Sequence, residues 1–579
     1  MNNNNLFIAM SLSLAILIGF HYFYERPRLE AYRLAQAQQA AKAKAAPDAL
    51  IKNAPPAPAL DPAPVQNRET LIFAAKRAPI TAAHVRGSIN LTGARFDDLT
   101  LPDYREEVDP KSPAITLLSP SGSARPHPGY YAEFGWLAEN NPGLPDAHTV
   151  WQTGGAVLTP AQPLILRWDN GQGLRFERKI MLDDHYMFTI TDSIVNDGNQ
   201  PLTLHPYALI VQQTKPDAKN LLTGHVGPMG VLGGVLREHG YDQMIETPEA
   251  AESSIGGWLG IADKYWLVAL IPPPQDNITA NFKYAHHDGQ KPEDGRFQVD
   301  YRGAPVTVAA KGTAEYTSRF FAGAKQVELL DHYRDHYGIE KFDLAIDFGW
   351  FRFLTKPLLY ALNWLGGRIG NVGLAILALT VLVKLLVLPL GVRSFSSMAK
   401  MKKLQPELQR LTERFKDDKA RQSIEMMELY RREKVSPLSG CVPILAQLPI
   451  FFALYKVLYI GIDMRHAPFF GWIRDLSAPD PTSFFNLFGL LPWAVPNLSL
   501  LHIGVWPVLM GLSMFGLQKM TPQPPDPVQA QVLMMMPLIF TIMLAPNMAS
   551  GLIIYWTWSN IISIVQQLLI YRRMGVKAG

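Results

Sequence analysis

A single lysine, Lys384, interrupts the apolar run LALTVLVKLLVLPL at residues 377–390. A cation at the depth of a lipid bilayer costs roughly 2.5–3.5 kcal/mol on insertion scales, so a charge kept there is expected to have a function. The other long apolar runs of the C-terminal part contain no Asp or Glu that could neutralise it. We therefore predict a functional cation that attracts anionic groups, rather than one half of an ion pair inside the membrane.

Other polar side chains occur in the same apolar runs. Thr380 lies one helical turn before Lys384, and a lone amide, Gln447, occurs in the next run. Three polar residues of the last run follow intervals of three and four, which places them on one helix face: Asn560, Ser563 and Gln567. Polar residues at bilayer depth must face protein or water. Two interpretations stay open, a wet cavity or hydrogen bonds between neighbouring helices.

The elements that carry these residues are long segments with few charges, which are typical of membrane spans. The first opens the chain and is interpreted as an uncleaved anchor. Another apolar stretch, residues 484–501, contains Pro492 and Pro496 and is interpreted as interfacial or re-entrant. Six spans are predicted in total: 1–24, 371–391, 438–459, 503–520, 527–546 and 550–571.

Residues 67–345 have the composition of a soluble domain. The segments LRFERKIML (174–182) and HYMFTITDSIV (185–195) alternate between apolar and polar residues, and Asp183 and Asp184 supply a turn between them. Many such segments predict a large antiparallel β-sandwich. The net charge of +4 over 579 residues does not indicate a nucleic-acid partner, and one cysteine, Cys441, excludes an intramolecular disulfide.

Charge sets the predicted orientation. Residues 392–436 hold 12 Lys or Arg and 7 Asp or Glu in two amphipathic helical segments, and a basic connection between spans lies in the cytoplasm. The β-domain then lies outside, and both termini lie inside. The predicted regions are the anchor (1–24), an Ala/Gln/Pro-rich linker (25–66), the β-domain (67–345), an interfacial amphipathic helix (348–370), span 2 (371–391), the cytoplasmic hairpin (392–436), spans 3–6 (437–573) and a short cytoplasmic tail (574–579).

Four sequence segments of the C-terminal part resemble the motifs of one known family. EKVSPLSGCVPILAQLPIFFALYKVL (433–458), RHAPFFGWIRDLSAPDP (465–481), QKMTP (518–522) and SGLIIYWTWSNIISIVQQLLIYRR (550–573) resemble the YidC membrane-protein insertases of the Oxa superfamily, in order and spacing. The anchor and β-domain resemble the Gram-negative type, whose large periplasmic domain is a β-supersandwich. The resemblance implies an α-helical polytopic protein of the bacterial inner membrane with six spans and an inserted periplasmic β-sandwich.

The family inserts and folds membrane proteins, alone or with the Sec translocon. It uses no nucleotide, metal or other cofactor. The resemblance therefore implies that this protein is not an enzyme. It also implies a hydrophilic groove that is open to cytoplasm and lipid. By motif position its basic residue is Lys384, where many members have arginine. The groove residues implied for substrate binding are Lys384, Thr380, Gln447, Asn560, Ser563 and Gln567.

Two further surfaces follow from the resemblance. Spans three and five would form a hydrophobic slide for the departing substrate helix, with core packing as the alternative interpretation; its residues are Phe451, Tyr455, Tyr459, Met535 and Trp556. The hairpin would offer cationic contacts to ribosomal RNA, anionic lipid or substrate: Lys400, Lys402, Lys403, Arg431 and Arg432. The implied partners are nascent membrane proteins, the Sec translocon, the ribosome and anionic lipids, and not DNA.

Two alternative functions stay open. Lys384 would also suit the anion site of a solute transporter, although the spans show no repeat relating one half to the other. The β-domain would alternatively be a glycan sensor that the spans merely anchor. Insertion of membrane proteins is the leading hypothesis.

Overall fold

The computed structural model describes residues 65–139, 143–216, 224–287, 289–349, 351–433, 435, 442–491, 493, 495, 502–522 and 527–576. The predicted anchor (1–24) and the predicted linker up to residue 64 lie outside the described residues. The described chain forms two compact units, one ending at Asp347 and the other beginning at Phe348. They are called the β-unit and the helical unit below.

The described residues of the β-unit form mainly strands, together with three α-helices: α1 (Arg68–Ala74), α2 (Tyr241–Glu246) and α3 (Val327–Tyr337). Its strands are β1 (Arg77–Thr81), β2 (Arg86–Asn90), β3 (Arg95–Arg105), β4 (Ala114–Leu118), β5 (Tyr130–Leu137), β6 (Gln152–Thr153), β7 (Leu164–Asp169), β8 (Leu174–Leu182), β9 (Met187–Asn196), β10 (Leu202–Gln213), β11 (Gly227–Leu232), β12 (Val235–Glu238), β13 (Glu249–Ile255), β14 (Trp258–Ala262), β15 (Trp266–Ile271), β16 (Asn277–Ala285), β17 (Arg296–Arg302), β18 (Val306–Val308) and β19 (Thr313–Ala324).

These strands form two antiparallel sheets. One has ten strands in the order β1-β2-β3-β5-β10-β17-β16-β13, with β4 beside β3 and β18 beside β10. The other has nine strands in the order β12-β11-β14-β15-β19-β9-β8-β7-β6. The predicted hairpin at residues 174–195 is confirmed as β8 and β9, with Leu182 opposite Phe188. Asp183 fixes its turn, because its carboxylate accepts hydrogen bonds from the backbone N–H groups of His185 and Met187, both at 2.9 Å.

Aromatic rings from the two sheets meet in the core. Phe96 of β3 contacts Phe188 of β9, with ring centroids 5.4 Å apart, and Phe134 of β5 contacts Phe320 of β19 at 5.7 Å. All four rings are buried, and the edge-to-face geometry is the arrangement that aromatic pairs favour. The inner faces of both sheets therefore contribute to one apolar core.

The helical unit begins with α4 (Arg352–Ile369), in the region of the predicted interfacial helix, and continues with seven further helices and several short turns. These helices are α5 (Val372–Leu386), α6 (Leu388–Arg414), α7 (Lys419–Arg432), α8 (Val442–Ile460), α9 (Val505–Met520), α10 (Pro527–Ile539) and α11 (Ser550–Arg573). A π-helical turn, Phe540–Leu544, and a 3-10 turn, Ala545–Asn547, follow α10.

The chain bends by 69° between α5 and α6. The sequence predicts one span over 371–391, but the structure ends the first helix at Leu386. Pro389 has no backbone N–H and cannot bond to the carbonyl of Leu385, so the ladder is interrupted there and a new helix starts with the proline in its first turn. The next helix therefore starts at Leu388, four residues before the predicted start of the hairpin at residue 392. The two helices of the predicted hairpin are α6 and α7. Residues 415–418 separate them, which overlaps the predicted break at 416–419, although Lys419 already belongs to α7.

Among the described residues, two helical segments are long and apolar enough to cross a bilayer, Val528–Asn547 and Ser550–Arg573. The bent pair α5 and α6 would make a third, and Gln447–Ile460 is a shorter apolar helix. Six spans therefore stay a prediction. In the proline-containing stretch, Phe484–Gly489 forms a 3-10 turn in which Leu487 and Phe488 are left-handed, and most of 492–501 lies outside the described residues.

Candidate functional site

Lys384 lies near the C-terminal end of α5, and its side chain is enclosed by two other helices. Only 8% of the residue is exposed. Its ammonium group donates hydrogen bonds to Gln447 Oε1 of α8 at 3.0 Å and to Ser563 Oγ of α11 at 2.9 Å. Three helices that are distant in sequence therefore converge on one buried cation.

The groups around Lys384 are themselves held in place. Gln447 Nε2 donates to Ser559 Oγ at 3.2 Å, which fixes the amide so that its oxygen faces the lysine. The hydroxyl of Ser563 donates to the Ser559 carbonyl at 2.9 Å, which leaves its oxygen free to accept from the ammonium group. Within the described part of the chain, no carboxylate pairs with Lys384. Its two hydrogen-bond partners among the described residues are therefore neutral dipoles.

The other predicted groove residues do not bond to Lys384. Thr380 Oγ1 donates to the Ile376 carbonyl at 2.7 Å, so its hydroxyl is used within α5. Asn560 Nδ2 donates to Ser513 Oγ at 3.0 Å. Gln567 Nε2 donates to the Met520 carbonyl at 3.3 Å. Asn560 and Gln567 thus join α11 to α9, which is the helix-packing interpretation of these residues.

Sequence reasoning missed three residues of this arrangement. Ser559 orients Gln447, Ser513 accepts from Asn560, and the Tyr571 hydroxyl donates to the Met520 carbonyl at 3.1 Å. Ser559 lies one turn before Ser563, so the intervals used to select Asn560, Ser563 and Gln567 could have found it.

The predicted slide residues lie in three separate places. The ring of Phe451 on α8 contacts that of Trp556 on α11, with centroids 4.8 Å apart. Tyr455 and Tyr459 stack on each other at 5.7 Å, one turn apart on α8. Met535 on α10 is 49% exposed. It belongs to an exposed apolar surface that also includes Val528, Val532, Leu533, Met536, Leu538 and Met543.

The five predicted cations of the hairpin also differ from one another. Lys400, Lys403 and Arg431 are exposed. Lys402 lies over the ring of Tyr571, with its Nζ 5.7 Å from the ring centroid, so it packs against α11. Arg432 pairs with Glu407 at 2.8 Å and thereby joins α7 to α6. Arg432 is exposed as well, but its guanidinium group is engaged by Glu407, so Lys400, Lys403 and Arg431 are the ones for which the described structure shows no such ion pair.

Residues 465–483, called the capping segment below, hold the other ends of the helices that carry the site. The carbonyls of Leu476 and Ala478 accept from the backbone N–H groups of Gly551 and Ser550, at 2.9 and 2.8 Å, at the start of α11. The ring of Phe469 lies so close to Gly373 of α5 that a Cβ there would be 2.1 Å from it. The capping segment therefore fixes α5 and α11 against each other.

The same segment caps α9. Asp480 is 5% exposed, and its Oδ2 accepts from the backbone N–H of Trp506 at 2.9 Å. Thr482 Oγ1 accepts from Val505 N at 3.0 Å and donates to Asp480 Oδ1 at 2.7 Å. Gly504 itself provides no side-chain cap, and a Cβ there would be 2.5 Å from Asp480 Cγ. Two distant side chains thus satisfy the first N–H groups of the helix.

The β-unit followed by a helical unit with a buried cation defines a membrane protein with a large antiparallel β-domain. The family model described as "YidC periplasmic domain" matches residues 77–361, and the one described as "60Kd inner membrane protein" matches residues 364–577. The chain belongs to the YidC family of membrane protein insertases.

Individual relatives agree along the whole chain. "Membrane protein insertase YidC" of Methylorubrum extorquens (strain PA1) is 46% identical, with 100% of this chain and 96% of the relative covered. The protein of the same description from Methylobacterium nodulans is 47% identical at the same coverage. A solved structure, described as an active YidC insertase with the first transmembrane domain resolved, aligns with a TM-score of 0.34 and 17% identity over 86% of this chain and 95% of that chain.

Proposed function

We propose that this chain is a membrane-protein insertase and chaperone of the bacterial inner membrane that acts alone or with the Sec translocon. The observation that carries the proposal is full-length similarity: relatives described as insertases are 45–47% identical over 100% of this chain. Both units are included in that match, so both are expected to serve the same process. The family is expected to work without a nucleotide, metal or other cofactor, and we propose the same for this chain.

Lys384 supplies the chemistry for this function. Its ammonium group is held by a glutamine oxygen and a serine oxygen, both neutral. A substrate carboxylate that replaced the Gln447 oxygen would exchange a dipole for a full negative charge, and two opposite charges attract each other much more strongly in a low-dielectric site than in water. We infer that acidic or polar segments of the substrate are drawn toward Lys384 through a hydrophilic groove open to cytoplasm and lipid.

The exposed apolar surface of α10 suits the departing substrate helix. Flexible thioethers adapt to varied partners, and Met535 and Met536 of α10 and Met543 of the following π-helical turn are all exposed. Together with Phe451 and Trp556 they would form the hydrophobic slide. The substrate helix would then leave for lipid without exposing its apolar side chains to water.

The proposed topology has six spans, with both termini in the cytoplasm and the β-unit, as a sandwich, in the periplasm. The excess of basic residues in the α6–α7 hairpin supports a cytoplasmic position for it. There the exposed Lys400, Lys403 and Arg431 would contact anionic lipid or the ribosome. The stretch 484–501 would lie at the interface or re-enter the membrane.

Reconstitution tests the function against its main alternative. The full chain in liposomes should insert a small single-span protein with an acidic translocated tail, and protease protection of that tail measures the insertion. Empty liposomes and liposomes with the Lys384→Glu variant are the controls. A solute transporter would instead accumulate a small anion without inserting the test protein, and that result would overturn the proposal.

Cysteine labelling tests the topology. In a Cys441→Ser background, cysteines at the exposed positions Lys111 and Arg474 should react with a membrane-impermeant thiol reagent added outside intact cells. A cysteine at Asp417 in the hairpin, or at Gly575 near the C-terminus, should react only after the membrane is opened. Labelling of Gly575→Cys from outside would show that residues 484–501 cross the membrane.

A further inference from the structure

Helix α10 contacts the rest of the helical unit along one narrow stripe. Among its described side chains, Pro537 is buried, and Ala530 and Met534 are half-buried. These three positions follow intervals of four and three, so they share one face of the helix. The other described side chains of α10 are exposed, and the principal packing partner of the helix is α9. A helix with so few buried contacts is easier to displace than one that is packed on several sides.

Helix α11 has the opposite character. Buried residues recur along its whole length, from Ser550 to Tyr571. Its polar side chains also bond to three other helices: Ser563 to α5, Ser559 to α8 and Asn560 to α9. Helix α11 is therefore a fixed reference against which a movement of α10 can be measured.

The helical backbone is irregular at the C-terminal end of α10. Pro537 lies inside the helix and has no N–H to donate to the carbonyl of Leu533, which removes one bond from the helical ladder. The π-helical turn Phe540–Leu544 begins three residues later, and the 3-10 turn Ala545–Asn547 follows it. Prolines and π-helical turns are places where helices bend. Residues 537–544 are called the hinge segment below.

The hinge segment is held more tightly than the start of α10. Gly511 of α9 lies so close to it that a Cβ there would be 2.1 Å from the hydroxyl oxygen of Thr541. The ring of Phe540 contacts that of Trp556 on α11, with centroids 5.5 Å apart. Directly after the hinge segment, one residue joins a buried cluster with residues of α9 and α11: Ala545, Met510 and Ile553. One end of the span is thus fixed, and the other end is held only by the narrow stripe.

Trp556 connects the hinge segment to the proposed slide. Its ring contacts Phe451 of α8 at 4.8 Å as well as Phe540 at 5.5 Å, so α8 and the hinge segment meet at one indole ring. Trp556 lies seven residues before Ser563, which bonds to Lys384, and this spacing is about 10 Å along α11. The hinge segment therefore lies beside the slide and two helical turns from the buried cation.

We propose that α10 is a lateral gate, which turns about the hinge segment so that its first turns move away from α8 and a substrate helix passes between them into lipid. This inference rests on the proposed insertase function and topology, in which α10 starts at the cytoplasmic side. The gate would open the groove where the substrate enters, while the end at Trp556 stays closed. A rotation of about 20° would move Val528 by about 6 Å, because 12 residues at 1.5 Å each separate it from Phe540.

Distances between spin labels on the full chain test the gate, in nanodiscs of phosphatidylethanolamine and phosphatidylglycerol. In a Cys441→Ser background, labels at Val528→Cys and Val565→Cys report the start of α10 against α11, since both positions are exposed. Met543→Cys with Val565→Cys is the matched pair, because Met543 is also exposed but belongs to the hinge segment. A single-span peptide with an acidic tail should shift or broaden the first distance by about 5 Å and leave the second unchanged. Both pairs are first shown to insert the test protein.

Stiffening the hinge segment tests the gate a second time. Pro537→Ala restores the missing N–H, so the distance from Val528 should become narrowly distributed and insertion should fall roughly threefold or more. Pro406→Ala is the control, because it also removes a proline from the interior of a helix, at an exposed position of α6. It should change neither the distance nor the insertion activity.

Three results would overturn the gate. One is a single narrow distance from Val528 that the peptide does not alter, and another is an equal change in the distances from Val528 and Met543. The third is a Pro537→Ala variant that inserts as well as Pro406→Ala or shows an unchanged distance distribution. A rigid α10 in a chain that inserts the test protein would count against the gate alone, whereas failure of the unaltered chain to insert would count against the insertase proposal.

Discussion

Replacing Lys384 with glutamate should abolish insertion of proteins whose translocated segment is acidic, whereas replacing it with arginine should preserve insertion. The charge is buried, and two neutral acceptors, Gln447 and Ser563, hold it in place. Arginine keeps the charge and offers more donors to the same oxygens. Glutamate repels a substrate carboxylate and also faces two oxygens that are positioned to accept hydrogen bonds, which an ionised carboxylate cannot donate.

The size of the effect follows from the local dielectric constant. At a separation of 4 Å, two unit charges interact with about 4 kcal/mol at an effective dielectric constant of 20, against about 1 kcal/mol in water. Because each 1.4 kcal/mol is a factor of ten, reversing the sign should reduce insertion of an acidic substrate by roughly 100-fold or more. Lys384→Ala should fall between the arginine and glutamate variants, since the polar groups of the groove remain.

The measurement is protease protection of an acidic tail and of a neutral tail on the same test protein, with each variant in liposomes. Leu386→Ala is the matched control, because Leu386 lies on the same helix two residues from Lys384 and is 82% exposed, away from the groups that hold the ammonium group. Its insertion activity should stay near that of the unaltered chain. Equal activity of the arginine, alanine and glutamate variants on the acidic tail would leave Lys384 without the proposed role.

The sequence alone could predict that Lys384 is unpaired by acidic groups, but not which amides surround it. Residues of α11 at intervals of three and four were grouped as one face, although successive residues turn by about 100°. Asn560 and Gln567 are seven apart and differ by only about 20° in direction, so both reach α9. Ser559 and Ser563 point about 40–100° away from them, toward α5 and α8. Which helix lies opposite each face of α11 depends on tertiary packing, and the sequence pattern of α11 alone does not show it.

The same reasoning explains the successes in the β-unit. The β8–β9 hairpin was predictable because alternation and a turn-forming Asp183 both act over short distances. The aromatic contacts between the sheets, such as Phe96 with Phe188, join strands far apart in the chain, so no local pattern predicts them. The bend at Val387 was in principle readable from Pro389, but the apolar run continues through it and suggested one span.

Asp480 is expected to be the residue of the capping segment on which the helical unit depends most. Its carboxylate accepts from the Trp506 backbone N–H, from the Trp472 indole at 3.1 Å, and from the backbone and hydroxyl of Thr482. Replacing it with alanine removes the acceptor of these partly buried donors, and a donor that stays shielded from water costs about 1–3 kcal/mol. The Trp472 indole is 43% exposed and can bond to water instead. The total loss of stability should be roughly 3 kcal/mol or more, because α9 also loses its N-terminal cap.

Asp480→Asn tests the charge and the second acceptor oxygen, because asparagine has nearly the same size as aspartate. Its amide oxygen can replace Oδ1, which accepts from Trp472 and Thr482, but its nitrogen cannot accept from Trp506 N, so its stability should lie between that of the unaltered chain and Asp480→Ala. In a unit of about 200 residues, 3 kcal/mol corresponds to a fall of roughly 6–12 °C in the unfolding midpoint.

Fluorescence-monitored unfolding in detergent measures this midpoint. The control is Asp463→Ala, at an exposed position of the same unit. Because the capping segment also holds α5 and α11, protease cleavage should increase at the starts of α9 and α11 together in Asp480→Ala. An unchanged midpoint and cleavage pattern would mean that the backbone contacts of Leu476 and Ala478 suffice to hold these helix ends.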